Sequence, residues 1–226
     1  LALAGINRDT LAPAGGQILK DSAGEPTGML IDNAMELVEA KLPKPSAAMQ
    51  AQAVKRGVDL YASRGWTGLH NMGASADEVA MQAALAAKGQ LPIRIDNYMS
   101  QAEGQGVLTN GPSQDASGLV RTRGGTMYMD GALGSRGAAL LTPYADAEGT
   151  GLLLTPPETI KAVLAQAKAS GAQIATHAIG DRGNRLVLDA YQQAYGADAA
   201  GLKAARWRVE HAQVLAPEDL PRFAPL

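Results

Sequence analysis

Gln173-Ile174-Ala175-Thr176-His177-Ala178-Ile179-Gly180-Asp181 reads as a buried strand that ends on an imidazole and breaks at once into a Gly-Asp turn. Ile and Thr favour extended backbone, and Gly180 punctuates it. α/β barrels keep their chemistry at the C-terminal ends of such strands. The chain has three histidines, His70, His177 and His211, and each closes a strand-like run. The repetition points to several strand ends converging on one site.

On either side of this stretch, strand-like and helical runs alternate. Strands are expected over 66–72, 91–99, 119–129, 172–178 and 206–212. Ser46 is placed to cap a helix whose stripe of Met49, Ala53, Leu60 and Tyr61 ends at Gly65. An Ala-rich helix over 77–88 is closed by Gly89. A further helix opens behind Thr155, Pro156 and Pro157, runs to Ser170 and turns Ile160, Val163, Leu164 and Ala167 inward. Another covers 184–195 and stops at Gly196, and a last one starts at Pro217-Glu218 and is still running at Leu226.

This spacing is that of βαβ units and argues for a parallel sheet. A closed (β/α)8 TIM barrel takes about 250 residues. The α/β fold expected here is therefore an incomplete barrel, roughly strands two to six, over residues 46–226. Residues 1–45, punctuated by Pro13, Gly15, Gly16, Gly24, Pro26, Gly28, Pro43 and Pro45, read as an inserted or capping segment. A doubly wound sheet is the alternative, but no G-x-G-x-x-G follows the first strand. The chain lacks an initiator Met and is expected to be an internal piece of a longer protein.

Bulk properties exclude several classes. Of 226 residues, 46% are hydrophobic and 19% charged, with a net charge of −2, so nothing points to nucleic acid or an anionic membrane. Without cysteine there are no disulfides and no thiolate metal ligands. No apolar run approaches the ~20 residues that span a bilayer. The expected location is cytoplasmic. A homo-oligomer is allowed by the sequence but not specified by it.

His177 and His211 lie at strand ends in consecutive units, which suits them to hold a borderline cation such as zinc, manganese or iron. A hydrogen-bonded structural role is the alternative for each. Glu210 and His211 point to opposite faces of a regular strand, so Glu210 is expected to meet an arginine between strand and helix. Asp181 either caps the following helix or fixes an imidazole from the second shell. The loop over 130–151 has no clear periodicity. In its opening, DGALGSRG, Gly lets backbone approach a ligand and Arg136 can hold a carboxylate or carbonyl. His70, Trp66 and Trp207 are expected to be packing or hydrogen-bonded residues.

The phrases AGINRDT, GGQILKDSAGEPTGMLIDNAMELV, YMDGALGSRGAALLTPYAD, ATHAIGDRGNRLVLDAY and RVEHAQVLAPEDLPRFAPL run in order from first residue to last. In them the chain resembles the amidohydrolase superfamily, specifically the amidohydrolase family 3 branch that includes N-substituted formamide deformylases. The resemblance implies a hydrolase on a (β/α)8 barrel, cutting C–N bonds of amide-type small molecules with a divalent transition metal, zinc first. It implies His177 and His211 as metal ligands after the fifth and sixth barrel strands. It places Asp130 and Arg136 in the loop beside the metal, as substrate-binding residues. The family's first-strand His-x-His and its last-strand catalytic aspartate have no counterpart in this sequence, so the chain alone is expected to be inactive. Thr126 stands where many relatives have a metal-bridging lysine. A mononuclear site, an inactive barrel kept as a binding module, and a phosphate- or sugar-binding barrel that uses the 130–137 loop remain as readings.

Overall fold

The computed structural model describes residues 1–224. It begins with an antiparallel hairpin, β1 (Gly16–Lys20) and β2 (Pro26–Asp32), then a one-turn helix α1 (Glu36–Glu39). The barrel units follow as α2 (Ala47–Ser63), β3 (Gly68–Ala74), α3 (Ala76–Ala87), β4 (Arg94–Met99), α4 (Gln105–Asn110), β5 (Ser113–Gln114) and β6 (Val120–Tyr128). After the long loop come α5 (Pro157–Ser170), β7 (Gln173–Ala178), α6 (Asp181–Tyr195), α7 (Ala199–Ala205) and β8 (Arg208–His211), and a 3-10 helix over Pro217–Phe223. All five expected strands are present and pair in parallel in the order β3-β4-β6-β7-β8, with β5 added antiparallel to β6.

The sheet curls. Arg208 on β8 reaches His70 on β3, its Nη1 3.1 Å from Nδ1, although these strands are the two ends of the five-strand row. That contact closes across a concave face, the inner wall of a half-barrel. On this face Asp96 of β4 pairs with Arg121 at 2.6 Å and with Arg123 at 3.1 Å, both from β6. The convex face carries the apolar core. Met99, Met127, Met129, Ile174 and Ala178 pack against Ile160, Leu164 and Ala167 of α5 and Val187 and Tyr191 of α6. A second cluster joins Val58 of α2 and Ala86 of α3 to Ile93, Ile95 and Val120.

Local chemistry explains the element ends. The Ser46 side chain accepts from the Met49 amide, as expected, and Ser75 with Glu78 forms a reciprocal capping box on α3. Pro at the first position starts α5, and Gly171 at φ 73° ends it.

Several expectations need correction. The stripe expected on α2 is not its buried face: Met49, Leu60 and Tyr61 are exposed, and Val58 is buried. α6 begins at Asp181, three residues before the expected start, because Gly183 is a tolerated helical residue rather than part of a turn. α7 occupies a segment in which no helix is expected, capped by Asp198. Trp207 packs in the core with its Nε1 on the Ala172 carbonyl at 3.1 Å, but Trp66 is exposed and only edges against Tyr61. The last helix is 3-10 in form, and the final two positions of its expected span, Pro225 and Leu226, lie outside the described residues. Among the described residues no helix is long and apolar enough to cross a membrane.

Candidate metal-binding active site

His177 sits on β7 directly beside Tyr128 of β6 and Glu210 of β8 in the strand register. Its ring is 4.6 Å, centroid to centroid, from that of His211, edge to face, and 5.5 Å from the Tyr128 ring. The two imidazoles therefore meet at the C-terminal mouth of the sheet. On a straight strand His211 would face away from Glu210, toward the helices. Instead the backbone kinks, with φ 74° at His211 and 43° at Ala212. Left-handed backbone at two successive non-glycine residues is strained, and strain of this kind gathers at functional sites.

Glu210, two residues after Arg208 on β8, faces the concave side with it. Its carboxylate takes Arg208 Nε at 2.6 Å on its own strand. An arginine partner is therefore present, but inside the half-barrel and not between strand and helix.

Asp130 is fully buried at the end of the strand-to-loop turn. Its Oδ1 accepts from the Ile179 amide at 2.9 Å, and its Oδ2 from Gly180 and Ala139, both at 2.8 Å. Oδ1 also lies 3.7 Å from His177 Nε2. One carboxylate thus ties the turn after β7 to the long loop. Asn184, also fully buried, holds that turn from the opposite polarity: its Nδ2 donates to the carbonyls of Gly180 at 2.9 Å and of Ile179 and Val214 at 3.2 Å. Glycine is required here for closeness rather than for φ. A Cβ on Gly180 would come within 1.9 Å of the Ala139 carbonyl oxygen, and one on Gly183 within 2.5 Å of Asp130 Oδ2.

Two further residues singled out in the sequence are placed elsewhere. Arg136 is exposed, at φ 59°, and its guanidinium pairs with Asp146 of the same loop at 2.8 Å. Asp181 accepts from the Leu141 amide at 2.8 Å, so it braces the loop and touches no imidazole. A cavity of about 760 Å³ opens beside His177, lined also by Asp130, Tyr128, Thr155 and the segment around Asp32 and Glu36, and Arg136 lies outside it. Asp32 and Asn184 are site residues that sequence reasoning passed over. The signal for each was faint: an Asp before a short helix, and an Asn in the first turn of a long one.

Electrostatics favour a neutral His177. Burial, and then the neighbouring His211, push its pKa below the ordinary histidine value. Burial pushes the Asp130 carboxyl up, while the three amide donors pull it back. His177 Nε2 is buried and has no hydrogen-bond partner. A neutral imidazole with an unsatisfied, shielded nitrogen has the donor chemistry of a metal ligand. Among the described residues no group of three or more His, Asp or Glu side chains is arranged to hold an ion. The pair His177 and His211 fits part of a ligand set.

A curled parallel sheet with paired imidazoles at its C-terminal mouth defines the class of fold: an incomplete (β/α)8 barrel. The chain belongs to the amidohydrolase family, whose model matches residues 1–226. It is 32% identical to Protein LONG AFTER FAR-RED 3 of Arabidopsis thaliana over all of this chain and 41% of that one. It is likewise 32% identical to the putative amidohydrolase YtcJ of Bacillus subtilis, over 99% of this chain and 42% of YtcJ. The chain spans about two fifths of the length of these curated relatives. The fold matches an uncharacterized metal-dependent hydrolase from Pyrococcus furiosus with a TM-score of 0.73 at 22% identity, covering 98% of this chain and 44% of that structure.

Proposed function

We propose that the protein to which this segment belongs hydrolyses a C–N bond of an amide-type small molecule with a divalent metal, zinc first, held in part by His177 and His211. The observation that carries this reading is the buried, unpartnered Nε2 of His177, 4.6 Å ring to ring from His211 at the strand ends. Family membership supports it. When bound, such an ion supplies Lewis acidity toward a carbonyl and toward water.

The residues of this chain do the positioning. Asp130 and Asn184 fix the turn after β7, so His177 is held on a rigid strand end with its neighbouring backbone immobilised. The ring of Tyr128 covers one side of the His177 imidazole. Burial keeps that imidazole neutral and available as a donor. Arg136 serves the site through the loop it braces with Asp146. The test is hydrolysis of N-benzylformamide by the full-length protein loaded with zinc. Release of formate that His177→Ala abolishes supports the reading, and no turnover of this or other simple amides contradicts it.

Thr126 favours a second reading. It is buried on β6, two residues before Tyr128, where the family resemblance implies a lysine in many relatives, and it cannot be carboxylated. If the barrel were a non-catalytic binding module, metal would be absent from purified protein and small amides would bind without turnover.

A further inference from the structure

The two site histidines are not partners in the strand register. His177 of β7 stands beside Glu210 of β8, and Ala178 stands beside His211. Successive side chains on a strand point to opposite faces, so an undistorted β8 would set Glu210 and not His211 next to His177. The imidazoles meet because the backbone enters the left-handed region at His211 and Ala212. Strain of this kind persists where surrounding contacts over-determine it. The contacts that hold the kink therefore hold the pair.

Those contacts come from the turn after β7. The Ala212 amide donates to the Ala178 carbonyl at 3.1 Å, and the Val214 amide to the Ile179 carbonyl at 2.9 Å. Asn184, fully buried in the first turn of α6, joins both segments. Its Nδ2 lies 3.3 Å from the Ala178 oxygen, 3.2 Å from that of Ile179 and 2.9 Å from that of Gly180, and it reaches across to the Val214 oxygen at 3.2 Å. Carbonyls on all sides of the nitrogen fix which end of the side chain points there, and they leave Oδ1 buried without a partner. A buried acceptor without a donor costs stability. Serine at this helical position would answer the Gly180 carbonyl, four residues back, and would carry no orphaned amide oxygen. What asparagine adds is the reach to Val214, which crosses from the turn after β7 to the chain after β8.

We infer that Asn184 is a positioning residue for the metal pair: its amide locks the segment after β8 against the turn after β7 and so sets the His211 ring against that of His177. The inference rests on the reading of His177 and His211 as metal ligands, and it concerns how firmly they hold an ion rather than which bond is cut. Asp130 bonds the turn after β7 and ties it to the long loop. The link to the chain leaving β8 belongs to Asn184 and the two backbone bonds beside it.

The test titrates cobalt(II) into full-length protein stripped of metal, where visible absorption reports affinity and ligand geometry together. Asn184→Ser keeps a donor for Gly180 and loses Val214. It is expected to bind cobalt about tenfold more weakly than wild type, with altered absorption bands, as when a residue that orients metal ligands is removed. Val58→Ala, a buried position in the apolar cluster under α2 and α3, supplies a destabilised control. It is expected to keep the wild-type affinity and bands. Cobalt affinity in Asn184→Ser within about twofold of wild type, or an equal loss in Val58→Ala, overturns this inference and leaves metal binding by the histidines standing. Wild-type protein gives a second measurement that needs no variant. In hydrogen exchange, residues 208–216 are expected to be protected like β7 and far more than the largely exposed 141–149 stretch. Exchange at the rate of that stretch overturns the lock even if Asn184→Ser does not fold. Cobalt binding that depends on Asn184, in protein that cleaves no amide, upholds this inference while sinking hydrolysis. Wild type that binds no cobalt overturns both.

Discussion

Asp130 shows what a single carboxylate does in this site. It accepts three amide protons from two separate segments while excluded from solvent. Changing it to Asn keeps the volume but presents an NH2 group to donors. Leaving buried amides unanswered costs about 1–3 kcal/mol each, and one or two of them lose their acceptor. Asp130→Asn in the full-length protein is therefore expected to lower unfolding free energy by ~2–4 kcal/mol in a urea titration. It is also expected to open the 130–151 loop to limited proteolysis. A loss below ~0.5 kcal/mol would mean that the carboxylate does not organise the loop. Residues of this kind were only half legible. The Asp-Gly at the end of a strand stood out as a functional loop, but sequence carries no record of which distant amides point at a side chain. Asn184 was invisible for the same reason: three of its four carbonyl partners, Ala178 to Gly180, lie at the end of β7 and in the turn after it, and the fourth, Val214, follows β8.

At the scale of elements, strand ends were the legible part. Runs of β-branched and apolar residues between helical stretches marked all five strands of the sheet within a few residues. The direction of a side chain at a strand end was not legible, because it depends on the last φ angles. Alternation alone sends His211 outward, whereas the left-handed turn at His211 and Ala212 brings it to His177. Ala212→Gly is expected to be neutral or to stabilise by up to ~1 kcal/mol, since glycine adopts φ > 0 at little cost. Ala212→Val, β-branched at φ 43°, is expected to destabilise by more than ~1 kcal/mol and to weaken metal retention by misplacing His211. Equal metal affinity in Ala212→Val and wild type would show that the kink does not position the ring. That the hairpin and α1 carry Asp32 and Glu36 to the cavity, a contact across some hundred residues of sequence, was not legible.

For the whole molecule, the half-barrel places its charged residues on the concave face and its apolar ones under the helices. The curl that brings Arg208 to His70 could be anticipated only as barrel closure, not as a specific pair. Stability should carry the signature of the buried imidazole. His177 titrates below its ordinary value of about 6.5 in the folded chain, so the unfolded chain takes up the proton first as pH falls. Its contribution is complete above about pH 6.5 and declines as pH falls toward the folded-state value. In metal-free protein, urea midpoints at pH 7.5 and 5.5 are expected to differ less in His177→Asn than in wild type. An identical pH slope in both would contradict a depressed His177 pKa.

The claim on which the functional account stands is that His177 and His211 together hold a divalent metal. The direct measurement is elemental analysis of the full-length protein, purified without chelator and dialysed against zinc, beside His177→Ala and His211→Ala variants whose folding is checked by circular dichroism. The account expects about one tightly held transition-metal ion per chain in wild type, or two if a second site is supplied elsewhere, with at least one lost in each folded variant. Wild-type protein that retains no transition metal, or variants that retain as much as wild type, would contradict it.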